Sequence, residues 1–163
     1  MLHWKVLFVK PRTEKKVSEY CRLYGIRYYL PLRKKVRIVQ RRKLTVELPL
    51  FPGYVFVRLP PSQRLQMLQS NLLVRILDPL KPRKMLRDLV MVRRALRANP
   101  HLQATRPLAK GRLVRIIAGP FKGTEGLVAR ITKKMKVVLN VDVIGQATTV
   151  EMDADFVEAL SRD

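Results

Sequence analysis

From Leu108 onward the sequence breaks into short β-type runs, LVRII, GLVARI, MKVVLNVDV and TTVEM, divided by Gly, Lys and Asn turns. Strands this short and this closely spaced leave few ways to bury an apolar face, and a small β-barrel is the expected solution. At about 55 residues this part sits near the lower limit for independent folding, so its core has to be efficient. Val137, Val138, Val141, Val143, Thr148, Thr149 and Val150 are β-branched, which disfavours a helical alternative.

The preceding residues have another texture. Residues 3–9, HWKVLFV, are rich in β-branched and aromatic types and read as a strand. Val17, Tyr20, Cys21 and Tyr24 then repeat at the spacing of one helical face. Thr13 is the expected N-cap, Glu14 suits the first turn, and Gly25 is the expected stop. Tyr28 and Tyr29 begin an extended segment that Pro31 cuts. Residues 36–46 read as a hairpin with a basic turn at 40–43, and a strand over 53–59 ends at Pro60 and Pro61. Ser62 is expected to cap a short helix over 63–69. A strand over 72–77 stops at Asp78-Pro79, and a helix from Lys84 to about Ala98 carries Met85, Leu89, Val92 and Leu96 on one stripe. The order predicts an α+β fold, with an antiparallel sheet and packed helices over 1–98. Residues 99–107, NPHLQATRP, lack apolar periodicity and read as a linker to the barrel over 108–163.

Charge narrows the function. The chain carries 34 Lys and Arg against 12 Asp and Glu, a formal net charge of +22. Residues 1–107 hold 25 cations and 5 acids, residues 108–163 hold 9 and 7, so the net divides as +20 and +2. Such an imbalance points to a polyanion met by the first part alone. Seven cations between Arg33 and Lys43, without one acid, repel each other unless an anion screens them. The other role for such a run is a solvated basic loop.

The remaining types exclude more than they suggest. One cysteine, Cys21, precludes an internal disulfide, and the N-terminus lacks the cationic lead of a signal peptide; the expected location is the cytoplasm. No apolar run is long enough for a membrane span. His3, His101 and Cys21 are too few for a usual zinc site, and Asp142, Asp153 and Asp155 read as solvated barrel acids. No Ser-His-Asp set, paired acids, Cys-His pair or Walker-type phosphate loop occurs, so neither an enzyme nor a cofactor is expected.

Two motifs carry a resemblance. KGRLVRIIAGPFKGTEGLVARI places Gly111, the run Gly119-Pro120-Phe121-Lys122-Gly123, and Gly126 around two strands. This resembles the KOW motif of SH3-like barrels, and VIGQATTVEMDADFVEAL resembles the last strands of that domain in the NusG family of transcription elongation factors. HWKVLFVKPRTEKKV, followed by LFPGYVFVRL, resembles the NusG N-terminal (NGN) domain. The similarity spans roughly residues 3–160.

The resemblance implies a bacterial transcription elongation or antitermination factor. Its N-terminal domain would bind the clamp helices of the largest RNA polymerase subunit through Trp4, Phe51, Pro52 and Tyr54. Plain core packing is the other role open to Phe51 and Tyr54, whereas Val55, Phe56 and Val57 are expected in the core. Lys10, Arg12, Lys15, Lys16 and Arg22 would face non-template DNA or nascent RNA, with Arg41, Arg42 and Lys43 at the hairpin tip. The barrel would recruit a small-subunit ribosomal protein or Rho through Phe121 and Ile144. Ile144 stands where many members have an aromatic, Gln146 where they have Arg, and SNLLV at 70–74 replaces a PGV-like turn. With the high charge, these departures favour an operon-restricted paralogue over the general factor, and a monomer is expected. The alternative is an RNA-binding or ribosome-associated KOW protein.

Overall fold

The computed structural model describes residues 4–108, 110–131 and 134–160. His3 lies outside them. The chain divides into two compact units, Met1–Pro31 with Phe51–Lys84, and Leu32–Leu50 with Met85–Asp163.

In the first unit, β1 (Trp4–Val9), β2 (Arg27–Tyr29), β5 (Tyr54–Arg58) and β6 (Leu73–Leu77) form an antiparallel sheet in the order β2-β5-β1-β6. Helices α1 (Glu14–Leu23) and α2 (Pro61–Gln69) complete the unit. The period of two along β1 and β5 sorts their side chains. Leu7, Val9, Val55, Val57 and Leu59 join Val17 and Cys21 of α1 and Met67 of α2 in one buried cluster. The other face carries Trp4, Val6 and Phe8, paired with Arg58, Phe56 and Tyr54. Val6 and Phe56 at its centre are fully buried.

The ends of α1 follow the expected residues with one difference. Thr13 occupies the N-cap, but its hydroxyl donates back to the Lys10 carbonyl at 2.6 Å and makes no cap bond. At the other end Gly25, with φ +66°, lets its own N–H reach the Arg22 carbonyl and that of Ile26 reach Cys21 at 2.8 Å. This is the Schellman closure, and it drops Ile26 into the core beside Cys21. Helix α2 starts earlier than expected. Pro60 is the N-cap and Pro61 the first helical residue, so Ser62 lies inside the helix. A proline at that position has no N–H to leave unsatisfied and a φ already suited to helix.

In the second unit, β3 (Leu32–Val39) and β4 (Arg42–Pro49) form a two-stranded ribbon, longer than the expected hairpin. Its turn is Gln40-Arg41 alone, both with positive φ, at 49° and 63°. Helix α3 (Pro82–Ala98) buries Met85, Leu89, Val92 and Ala95; Leu96, expected on the stripe, is half-buried.

The expected small β-barrel appears as a six-stranded antiparallel sheet, ordered β12-β8-β9-β10-β11-β7. Its strands are β7 (Ala104–Thr105), β8 (Arg112–Ile116), β9 (Glu125–Ile131), β10 (Met135–Val141), β11 (Gln146–Met152) and β12 (Val157–Ala159). Val114, Ile116, Val137, Leu139, Val141, Ala147 and Val150 are buried. Val143 lies in a 3₁₀ turn, not a strand. A side chain at Gly126 would put Cβ 2.5 Å from the Val138 carbonyl, so only glycine lets β9 approach β10 there.

Residues 99–107 carry more structure than a linker reading expects. The Lys34 N–H donates to the Pro100 carbonyl at 2.6 Å, and His101 Nδ1 donates to the Lys34 carbonyl at 3.0 Å. Leu102 is buried, Thr148 Oγ1 donates to the Gln103 carbonyl at 2.8 Å, and Ala104–Thr105 pairs with β11. The Asn140 amide then brackets Leu108, accepting from its N–H at 2.9 Å and donating to its carbonyl at 2.7 Å.

Candidate partner and nucleic-acid interfaces

The LFPGY segment is a tight turn. The Tyr54 N–H reaches the Phe51 carbonyl at 3.3 Å around Pro52 and Gly53. Pro at the first central position and a glycine with φ +92° at the second are the type II pattern. Two contacts fix the turn. The Gly53 carbonyl accepts from Val9 at 2.8 Å, and its N–H donates to Glu14 Oε1 at 2.9 Å. Glu14 is accordingly buried, and its role goes beyond suiting the first turn of α1.

This geometry separates the four residues expected at the polymerase-docking edge. Phe51 is 1 % exposed, as is Leu50 before it, so its side chain is a core element and not a contact surface. The charge-free sequence there reflects burial. Pro52 is exposed at the turn, and Tyr54 is half-buried on the second sheet face. Trp4 is half-buried on the same face but stands opposite Arg58, about 13 Å along the strand from the Tyr54 pair. Val55, Phe56 and Val57 are fully buried, as expected.

The residue that meets Tyr54 is Phe8, which is not among the expected docking residues. Phe8 lies across the ladder from it, with ring centroids 5.4 Å apart and planes at 38°. The Arg75 guanidinium of β6 lies 5.9 Å from the Phe8 centroid, within cation–π range. Alternation from Trp4 through Val6 to Phe8 was the available signal.

The basic residues fall into two groups. Arg12, Lys15, Lys16 and Arg22 are exposed around α1, with Arg22 paired to Glu19. Lys10 is half-buried, and its ammonium donates to Asn71 Oδ1 at 2.9 Å. Arg41, Arg42 and Lys43 are exposed at the ribbon tip in the other unit. In the C-terminal sheet, Phe121 is half-buried in the loop between β8 and β9, whereas Ile144 is 9 % exposed and packs inward. Ile117 is 44 % exposed and bonded through its N–H to the Phe156 carbonyl at 2.7 Å. The Phe121 loop is also held from α3, where Arg94 Nη1 donates to the Gly123 carbonyl at 3.1 Å.

Burial and ion pairing shift Cys21 and Asp78. Burial pushes the Cys21 thiol up to about 11. The hydrogen bond from Lys5, at 2.7 Å, and the charges of Lys5 and Arg64 hold Asp78 below the usual carboxylate range. Among the described residues, no three or more His, Cys, Asp or Glu side chains are grouped to hold a metal, and no helix is long and apolar enough to cross a membrane.

A sheet unit with a partly exposed aromatic face, joined to a small β-unit carrying a Gly-Pro-Phe-Lys-Gly turn, is the NGN-plus-KOW arrangement. The family described as "Transcription termination factor nusG" matches residues 2–87, and the KOW motif matches residues 110–140. The chain belongs to the NusG family. Members of this family are transcription factors, not enzymes, and their domains bind RNA polymerase. Comparison with curated proteins gave no match. A solved chain described as "Crystal Structure of MjSpt4:Spt5 complex conformation B" is 16 % identical, with 98 % of this chain and 97 % of that chain covered, at a TM-score of 0.31.

Proposed function

We propose that this NusG-family chain is a bacterial transcription elongation factor of the antitermination type, docking on the clamp helices of the largest RNA polymerase subunit. The observation that carries the docking site is the half-buried Phe8–Tyr54 pair on the sheet face turned away from α1 and α2. Aromatic pairs of this kind make effective anchors because they bury much area with few rotors to order. Pro52 and Trp4 extend the face, and Phe51 supports the turn from below.

In this reading Lys10, Arg12, Lys15, Lys16, Arg22 and the ribbon tip meet non-template DNA or nascent RNA by phosphate contact, which carries no sequence information. The Phe121 loop recruits the second partner, a small-subunit ribosomal protein or Rho, with Ile144 packing beneath the surface. The net charge of +22 and the departures at Ile144, Gln146 and 70–74 support an operon-restricted paralogue.

The test is binding of the full chain to core RNA polymerase. Wild type is expected to bind, and Phe8→Ala or Tyr54→Ala to weaken binding by about 30-fold or more, the scale of an interface hot spot. Wild type that fails while a family relative binds would overturn the proposal.

A further inference from the structure

The outer side of α3 is a line of arginines. Met85, Leu89, Val92 and Ala95 are its buried side. Opposite them Arg83, Arg87, Val90, Arg94 and Arg97 are all exposed. Steps of four and three residues set these five on one line down the helix. At 1.5 Å per residue the line runs about 21 Å from Arg83 to Arg97. Arg93 flanks it, and Asp88, the one acid of the helix, falls away from it.

This line works against the helix that carries it. Arg83 with Arg87, and Arg94 with Arg97, are like-charge neighbours one turn apart. Arg83 also sits in the first turn, where the helix dipole favours an acid. Among the described residues, Arg83, Arg87 and Arg97 pair with no carboxylate. A face serving solubility alone is better built with both signs interspersed, which relieves the repulsion. An anion lying along the line supplies the missing countercharge.

The residue type selects the anion. A guanidinium offers a planar fork that matches phosphate with two parallel bonds, whereas lysine is a point charge. Every cation on the line is arginine. Its length of about 21 Å exceeds any single phosphate group and suits successive phosphates of a polynucleotide. Residues 82–98 contain no aromatic, so the grip falls on phosphate and not on stacked bases. The positive charge continues past the helix. Arg94 Nη1 donates to the Gly123 carbonyl at 3.1 Å, and Lys122 beside Gly123 is exposed. A Cβ at Gly123 would stand 2.8 Å from Arg94 Nη1, so a glycine is what admits this approach.

We propose that the outer face of α3 is a further nucleic-acid site, holding a phosphate backbone through Arg83, Arg87, Arg94 and Arg97 without reading sequence. Its residues are distinct from those of α1 and the ribbon tip, and it does not depend on polymerase docking.

The test uses the full chain without polymerase, with labelled single-stranded RNA and duplex DNA of equal length, each in two unrelated sequences, over a salt series. Arg87→Gln with Arg97→Gln removes two charges from the line and keeps good helix formers there. Arg112→Gln with Lys136→Gln removes two from the C-terminal sheet as a control. The line variant is expected to keep or raise the thermal midpoint. Its slope of log K against log salt is expected to flatten by about 1.4 for RNA or about 1.8 for DNA, alike for both sequences, and by less than half as much in the control. The nucleic acid that shows the loss is the source of the phosphates. An unchanged slope, or equal changes in both variants, would overturn the inference. So would a line variant that weakens polymerase binding with its slopes unchanged, because the arginines then meet a protein. A wild-type chain that binds neither nucleic acid would remove this site together with the α1 and ribbon-tip role. A chain that shows these slopes but does not bind polymerase would support the site and remove only the docking proposal.

Discussion

At the scale of single residues, what matters most is how a side chain is held, not its type. Gly53 has φ +92°, and a Cβ there would meet the Phe8 ring at 3.2 Å. Gly53→Ala is therefore expected to cost about 1–3 kcal/mol from the backbone alone, read as a lower denaturant midpoint, and to displace Phe8 from Tyr54. Cys21 is the reverse case, since nothing strains it but nothing reaches it. With its thiol near 11, the folded protein is expected to resist thiol reagents at pH 8 and to react once unfolded. The sign of the pH effect follows. Burial favours the neutral thiol, so its contribution to stability is complete below the ordinary thiol value of about 9. It is lost as pH rises from there through 11. The sequence showed Cys21 on the inner stripe of α1 because Val17, Tyr20 and Tyr24 share its period. It did not show that Phe51 is inside and Phe8 half outside, because both faces of this sheet are apolar and alternation alone does not rank them.

At the scale of elements, the ribbon turn is built against local preference. Gln40 and Arg41 both hold positive φ where two-residue hairpin turns favour Asn-Gly. Replacing the pair by Asn-Gly is expected to raise the thermal midpoint of the unit and to strengthen amide protection along β3 and β4. Relief of the left-handed penalty is worth up to about 1–2 kcal/mol per residue. The same feature explains why sequence placed the turn at 40–43. Without a glycine to mark it, the run of basic residues was the visible break, and the strands were read short. Helix α1 was legible to its last turn because Gly25 is a strong stop signal. The start of helix α2 was not, because two consecutive prolines mark a strand end and a helix start alike.

At the scale of the molecule, acid resistance is set by a few cross-element contacts. Asp78 accepts from Lys5 on β1 at 2.7 Å and from Arg64 on α2 at 3.4 Å. Its carboxyl is held low, so its contribution is present above about pH 4 and is lost as pH falls through the depressed folded value. Asp78→Asn is expected to flatten the fall in thermal midpoint between pH 5 and pH 3. The change at neutral pH is expected to stay below about 1 kcal/mol, because the pair is exposed and screened. The strand-only texture from Leu108 was legible, but the grouping of β3 and β4 in one compact unit with the C-terminal strands was not, because nothing in local periodicity marks it. The part played by residues 99–107 was not, because backbone bonds to Lys34 and β11 leave no mark on side-chain periodicity.

Those bonds have a mechanical consequence. A slack nine-residue tether would hold its ends about 16 Å apart on average and reach about 30 Å before it pulled taut. Pro100 and His101 are bonded at Lys34, and residues 103–105 at β11, so the unattached length is almost nil. A load placed on the C-terminal sheet would be carried to the root of the ribbon through the Lys34–Pro100 bond and not absorbed by slack chain.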